Sequence, residues 1–169
     1  MKSKENIVFL GMMGSGKSSI GLLVSKKLKL KFFDTDKCIE EKLNMKISKI
    51  FKEKGEEFFR DFEEKITLEL LKNEKSVISL GGGTFLNKTI RNEILSKHLS
   101  FWLKWDNNIL ISRIKNSSKR PKAHNASFDE LNKLIKSRSN VYCLADNKVN
   151  CNNLTKTQIV NKIIKIYEN

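Results

Sequence analysis

Residues 11–18 read Gly-Met-Met-Gly-Ser-Gly-Lys-Ser, directly after the apolar run Ile7–Leu10 and directly before a helical pattern that starts at Ser18. A glycine-rich turn in that position, closing on Lys-Ser, restricts the chain to folds in which a strand feeds a helix whose amino end meets an anion. The glycines let main-chain N–H groups come close to phosphate. A lysine in this place reaches the outer phosphates of a nucleoside triphosphate, and the serine hydroxyl offers an oxygen to Mg²⁺. Gly14, Ser15, Gly16, Lys17, Ser18 and Ser19 are therefore the nucleotide-binding candidates, with Lys17 also a catalytic one. A glycine turn that only caps a helix is the plainer alternative.

The rest of the chain repeats the strand and helix alternation. Strands are expected at Ile7–Leu10, Lys31–Phe33, Ser76–Leu80, Leu99–Trp105 and Lys148–Asn150. Helices are expected between them, among them Ser18–Leu28, with Ile20, Leu23, Val24 and Leu28 at helical spacing, Glu56–Leu71 and Thr155–Tyr167. Such alternation predicts a parallel sheet covered on both faces, with ligands outside the carboxyl ends of the strands. Two stretches interrupt it: a helical insertion at Lys37–Gly55, and a polar segment at Asn116–Ser127 that suits a lid or an ordinary surface loop.

At 169 residues the chain fits one α/β domain and one active site. No apolar run approaches the roughly 18 residues of a membrane helix, and the polar start has no secretory pattern, so a cytoplasmic protein without membrane contact is expected. Cys38, Cys143 and Cys151 are odd in number and form no Cys-x-x-Cys pair, which argues against a zinc site or a disulfide scaffold. The net charge of +14 attracts polyanions. The lysines are nevertheless scattered, apart from Lys26, Lys27, Lys29 and Lys31, and no aromatic residues alternate with them, so nucleic acid is not the expected partner. Among 33 basic residues only Arg60, Arg91, Arg113, Arg120 and Arg138 are arginine. A guanidinium forks onto carboxylate or phosphate as lysine does not, which makes these the better site candidates.

Three further groups carry possible chemistry. Asp34 and Asp36 are two apart, so on an extended chain they share one side, where one serves a metal and the other an acceptor hydroxyl; either is equally suited to cap the next helix. Gly81-Gly82-Gly83 follows the third strand and is either a close approach to ligand or a plain turn. Arg60 and Glu63 lie three apart in a helical pattern, either as a surface ion pair or with Arg60 clamping a carboxylate beside Phe51 and Phe59.

Taken together, the Gly11–Ser18 loop, Asp34-Thr35-Asp36, Phe59-Arg60 with Glu63, Gly81-Gly82-Gly83, Arg120-Pro121 and Arg138 resemble the ordered motif set of shikimate kinases over nearly the whole chain. The resemblance implies a P-loop, nucleoside-monophosphate-kinase-like fold: a three-layer α/β sandwich around a five-stranded parallel sheet, in one domain of residues 1–169. A substrate-binding insertion would occupy about 35–63 and a lid about 113–127. It implies a monomer that uses ATP and Mg²⁺ to phosphorylate the 3-hydroxyl of shikimate in aromatic amino-acid biosynthesis. By the same resemblance, Asp36 would hold the acceptor hydroxyl and assist its deprotonation. Arg60 and Arg138 would hold the shikimate carboxylate, and Gly82 would touch the ring. Ser18 would ligate Mg²⁺, with Asp34 acting on it through water and Ser79 on a second metal-side position. Arg113 would lie beside adenine, and Arg120 would be the lid arginine that meets the transferring phosphate. Lys122 and Ala123 stand where the family commonly has two apolar residues, and Ser139-Asn140-Val141-Tyr142 where it commonly has a Pro-Leu-Tyr run.

Two other readings compete. A P-loop kinase for gluconate or a nucleoside monophosphate shares the loop and the sheet, and Arg60 with Arg138 argues against it. An ATP-binding regulatory module that has lost transfer is the alternative from another class, and the intact set of catalytic candidates argues against that.

Overall fold

A computed structural model describes residues 6–117 and 125–168. Five strands, β1 (Ile7–Leu10), β2 (Lys31–Asp34), β3 (Ser76–Ser79), β4 (Leu99–Lys104) and β5 (Asn147–Asn150), make one parallel sheet in the order β2-β3-β1-β4-β5. They fall where the strand runs were expected, with ends differing by a single residue. The helices are α1 (Lys17–Leu28), α2 (Thr35–Leu43), α3 (Ile47–Leu71), α4 (Lys88–Lys97), α5 (Asn107–Lys115), α6 (Phe128–Tyr142) and α7 (Lys156–Glu168).

β1 is buried at every position, which is why it reads as an unbroken apolar run rather than an alternating one. Its side chains still part by face. Val8 and Leu10 join Ile90, Ile94, Leu110 and Ile135 from α4, α5 and α6, whereas Ile7 and Phe9 join Ile20, Val24, Ile159 and Ile163 from α1 and α7. On α1, Leu23 does not follow the core stripe and is exposed. Gly21 takes a core position instead, because the Phe32 ring closes on the helix to within 2.8 Å of where a Cβ would stand.

The insertion forms α2 and the start of α3, with its own apolar cluster of Ile39, Ile50, Phe59 and Ile66. Within α3 the helix breaks at Gly55, whose φ of 83° and ψ of 172° suit only glycine. Ser139-Asn140-Val141-Tyr142, without a proline, simply continues α6 to its end. The lid expectation falls largely on 118–124, so Arg120, Pro121, Lys122 and Ala123 lie outside the described residues. Among the described residues no helix is long and apolar enough to cross a membrane.

After β1 the chain runs outward to β2, returns to β3, then crosses to β4 on the other side. The carboxyl end of β1 is thus the point where the winding direction reverses, and a crevice opens there. The Gly11–Ser18 loop leaves β1 into that crevice.

Candidate active site

Gly16 caps α1 in the left-handed region, φ 89° and ψ 14°, which a glycine adopts without steric penalty. Lys17 begins the helix and folds back on the loop, its Nζ donating to the carbonyls of Gly11 at 2.8 Å and Met12 at 3.0 Å. A cavity of about 390 Å³ opens over this turn. It is lined by Gly14, Gly16, Lys17, Ser18 and Ser19 of the turn and helix, by Asp34, Asp36 and Gly82, and by Arg113, Ile114 and Ser117. Ser15 is buried outside this lining; its N–H donates to Met12 at 3.1 Å within the loop.

The two aspartates do not share an extended strand. Asp34 ends β2 and caps α2, accepting from Lys37 N at 3.2 Å, and Asp36 sits in the first helical turn. The cap and the site are nevertheless compatible, since a carboxylate has two oxygens. Asp34 Oδ1 serves the cap, while Oδ2 accepts from Ser18 Oγ at 2.5 Å. Ser79 pairs with Asp34 in the β2–β3 register and is buried, outside the cavity lining.

None of the three glycines at 81–83 has a positive φ, so a left-handed turn is not their reason. Crowding is. A Cβ on Gly81 would lie 2.7 Å from Asp36 Oδ1, 2.8 Å from Thr84 Oγ1 and 3.0 Å from Glu63 Oε1. On Gly83 it would lie 2.8 Å from Arg60 Nη1, and on Gly82 3.4 Å from Arg138 Nη1. The triplet is the backbone around which the acids and arginines gather. Gly81→Ala is expected to lower activity by at least about tenfold and stability by about 1–3 kcal/mol, the usual penalty of overpacking; kinetics with a thermal melt check both.

Arg60 and Glu63 do pair, Nη1 donating to Oε2 at 2.7 Å, but not as a surface pair. The Glu63 side chain is 4% exposed and that of Arg60 38%. Glu63 is buried because α3 packs against the glycine triplet, where Thr84 Oγ1 also donates to its Oε1 at 2.6 Å. Phe59 lies beneath the Arg60 guanidinium, 5.2 Å from ring centroid to Cζ, and packs tilted against Phe51 with centroids 4.5 Å apart. Arg138 Nη1 and the Tyr142 hydroxyl both donate to the Gly82 carbonyl, Arg138 at 3.3 Å. Arg60 and Arg138 thus stand beside the cavity, reached across the triplet, rather than in its lining.

The sequence profile of the shikimate kinase family matches residues 13–168. The chain belongs to the shikimate kinase family. A shikimate kinase from Sulfurihydrogenibium sp. (strain YO3AOP1) is 39% identical over 160 residues, covering 95% of this chain and 96% of the relative. The crystal structure of shikimate kinase from Aquifex aeolicus vf5 superposes with a TM-score of 0.86 at 30% identity, over 96% of each chain. Shikimate kinase from Acinetobacter baumannii in complex with shikimate superposes with a TM-score of 0.90 at 26% identity, over 98% of this chain and 93% of that one. The fold the resemblance implied, a five-stranded parallel sheet between helical layers, is the one observed.

Within this shikimate kinase family member the partners of several supporting residues carried no sequence signal. Thr35 accepts from Gly81 N at 2.8 Å, Thr84 and Tyr142 are described above, and Trp105 donates to the loop at Ser15. Each lies far in sequence from what it supports, so only folding reveals the pairing.

The thiols divide by environment. Cys143 is exposed, whereas burial raises Cys38 above the ordinary 9.0, with Glu41 and then Asp34 adding to the effect. Burial likewise pushes Cys151 up to about 11. The raised folded value keeps the Cys151 thiol neutral while the unfolded chain ionises it, so its contribution to stability is complete below about pH 9 and is lost as pH rises toward about 11. A thiol reagent at pH 8 is expected to label Cys143 at once and Cys151 only on unfolding.

Proposed function

We propose that this protein transfers the γ-phosphoryl group of ATP to the 3-hydroxyl of shikimate, giving shikimate 3-phosphate and ADP. The observation that carries the reading is Arg138. Its Nη1 is tied to Gly82, while its Nε is buried with no hydrogen-bond partner among the described residues. An orphaned buried donor costs about 1–3 kcal/mol, which a bound carboxylate would offset. Arg60 lies against the adjacent Gly83, so two guanidinium groups flank one short stretch of backbone and suit an acidic acceptor rather than a neutral sugar.

The division of labour follows from position. Lys17 holds its ammonium group at the phosphate turn, and Arg113 lines the cavity beside Gly14, where it would meet the base. Asp36 lines the cavity within reach of Gly81, between the phosphate turn and the arginines, and would orient the acceptor hydroxyl and take its proton. Every group named comes from one chain, so the reading calls for no second protomer. In the lid, Arg120 would neutralise the transferring phosphate.

For Mg²⁺ the donor set fits. Ser18 Oγ and Asp34 Oδ2 are hard oxygens already together at the cavity wall. Among the described residues no cluster of three or more His, Cys, Asp or Glu is present, so the chain offers a few oxygens and leaves the remaining positions to phosphate and water. When bound, the ion would screen the charge of the phosphates. Ser18 would be its direct ligand, and Asp34 would act through water.

The test is ADP release from ATP and Mg²⁺ with shikimate, compared with gluconate, AMP and no acceptor. Release that depends on shikimate is expected. Release with gluconate or AMP instead keeps the kinase and overturns the acceptor; no release with any acceptor favours a regulatory module.

A further inference from the structure

Trp105, which follows β4 and precedes α5, lies behind the cavity rather than in its lining. Two contacts leave its indole ring. The Nε1–H group donates to the Ser15 carbonyl at 2.9 Å, and the Arg113 guanidinium lies over the ring, Cζ 3.8 Å from the centroid. Arg113 Nη1 in turn donates to the Gly14 carbonyl at 3.3 Å. Indole and guanidinium together therefore hold two consecutive carbonyls of the phosphate loop, although both come from a segment some ninety residues away.

At 3.8 Å the cation is in contact with the ring face. A planar guanidinium stacked on an aromatic ring has few conformations left to lose. One face of the Arg113 plate is covered by Trp105, while the residue stays exposed and lines the cavity beside the Gly14 turn. On the reading of Arg113 as the residue beside adenine, a nucleotide with its phosphates on the loop would bring its base to this plate.

We propose that Trp105 is a positioning residue for ATP: it holds the Arg113 plate ready for the base and pins the phosphate loop through Ser15, so that one indole organises both ends of the nucleotide. This rests on the reading of Arg113 as the residue that meets the base.

The experiment compares Trp105→Leu and Trp105→Phe with the wild type. The leucine variant is expected to raise the KM for ATP about tenfold, and the phenylalanine variant, which keeps the ring face but loses the N–H donor, about threefold. The KM for shikimate and kcat should stay within about twofold, since neither contact reaches the acceptor side. A fall in melting temperature with an unchanged KM for ATP would make Trp105 a packing residue only and overturn the proposal. Should the leucine variant fail to fold, the phenylalanine variant carries the test.

A second readout needs no turnover. The chain has two tryptophans, Trp102 and Trp105. Titrating the wild type with ADP and Mg²⁺ should change the indole emission, and Trp105→Phe should abolish that change. No change in the wild type, or one that survives in Trp105→Phe, overturns the proposal. Because ADP binding is read without an acceptor, failure of the shikimate assignment would appear separately, in the turnover assay alone.

Discussion

Replacing Lys17 by methionine will lower kcat on the order of a thousandfold, the range seen when a charge-stabilising donor is removed from a reaction centre. The fold will survive. Lys17 is 8% exposed, and its ammonium group donates to the Gly11 and Met12 carbonyls, so the variant removes hydrogen bonds worth about 1–2 kcal/mol. Methionine has a similar volume and buries no charge, which offsets part of that loss. For a domain of this size each kcal/mol corresponds to about 2–4 °C in melting temperature. The expected result is therefore a catalytic collapse with a melt within a few degrees of the wild type. The KM for shikimate should hold within about twofold, because the Lys17 ammonium group is held on the Gly11 and Met12 carbonyls of the phosphate turn. A comparable loss of shikimate binding would overturn the separation of nucleotide and acceptor roles.

Arg60→Ala should do the opposite. Losing a forked, charge-assisted contact to a carboxylate costs about 2–3 kcal/mol, which raises the KM for shikimate by about 30- to 140-fold. Arg60 has a second task, since it is a partner of the buried Glu63. Removing it leaves Glu63 with the Thr84 hydroxyl as a donor, and the partly exposed guanidinium limits the expected stability loss to about 1–2 kcal/mol. A double mutant separates the tasks. In Arg60→Ala with Glu63→Gln the stability loss should shrink, while the shikimate KM stays high. Recovery of both together would make the KM effect a by-product of disorder around Glu63 and would remove Arg60 from the acceptor site. Arg60→Lys keeps the charge without the fork and should fall between wild type and alanine.

Much of this was legible in the chain because the signals are local. The apolar run Ile7–Leu10, the glycines at 11, 14 and 16 and the Lys17-Ser18 pair are contiguous, and contiguous residues meet their ligand wherever the strand and helix form. The alternation of strands and helices is local in the same sense. It predicted the sheet, although the exposed Leu23 and the core position taken by Gly21 depended on Phe32 arriving from the next strand.

Other readings were ambiguous because the deciding partner is distant. Asp34 suited a cap or a metal position, and only the fold placed Ser18 against its second oxygen. The glycine triplet suited a turn, until side chains from Asp36, Arg60, Glu63 and Arg138 were seen to crowd its backbone. Glu63 suited a surface ion pair, because spacing along a helix says which residues are neighbours but not which face is covered.

By itself, then, the sequence determined the phosphate turn, the order of strands and helices and a set of candidate charges, since these follow from covalent neighbours and periodicity. The tertiary structure alone decided the burial of Glu63, the orphaned Nε of Arg138 and the stacking of Arg113 on Trp105. Those depend on packing between elements distant in the chain, which brings particular groups into a water-poor interior where hydrogen bonds and charges matter most.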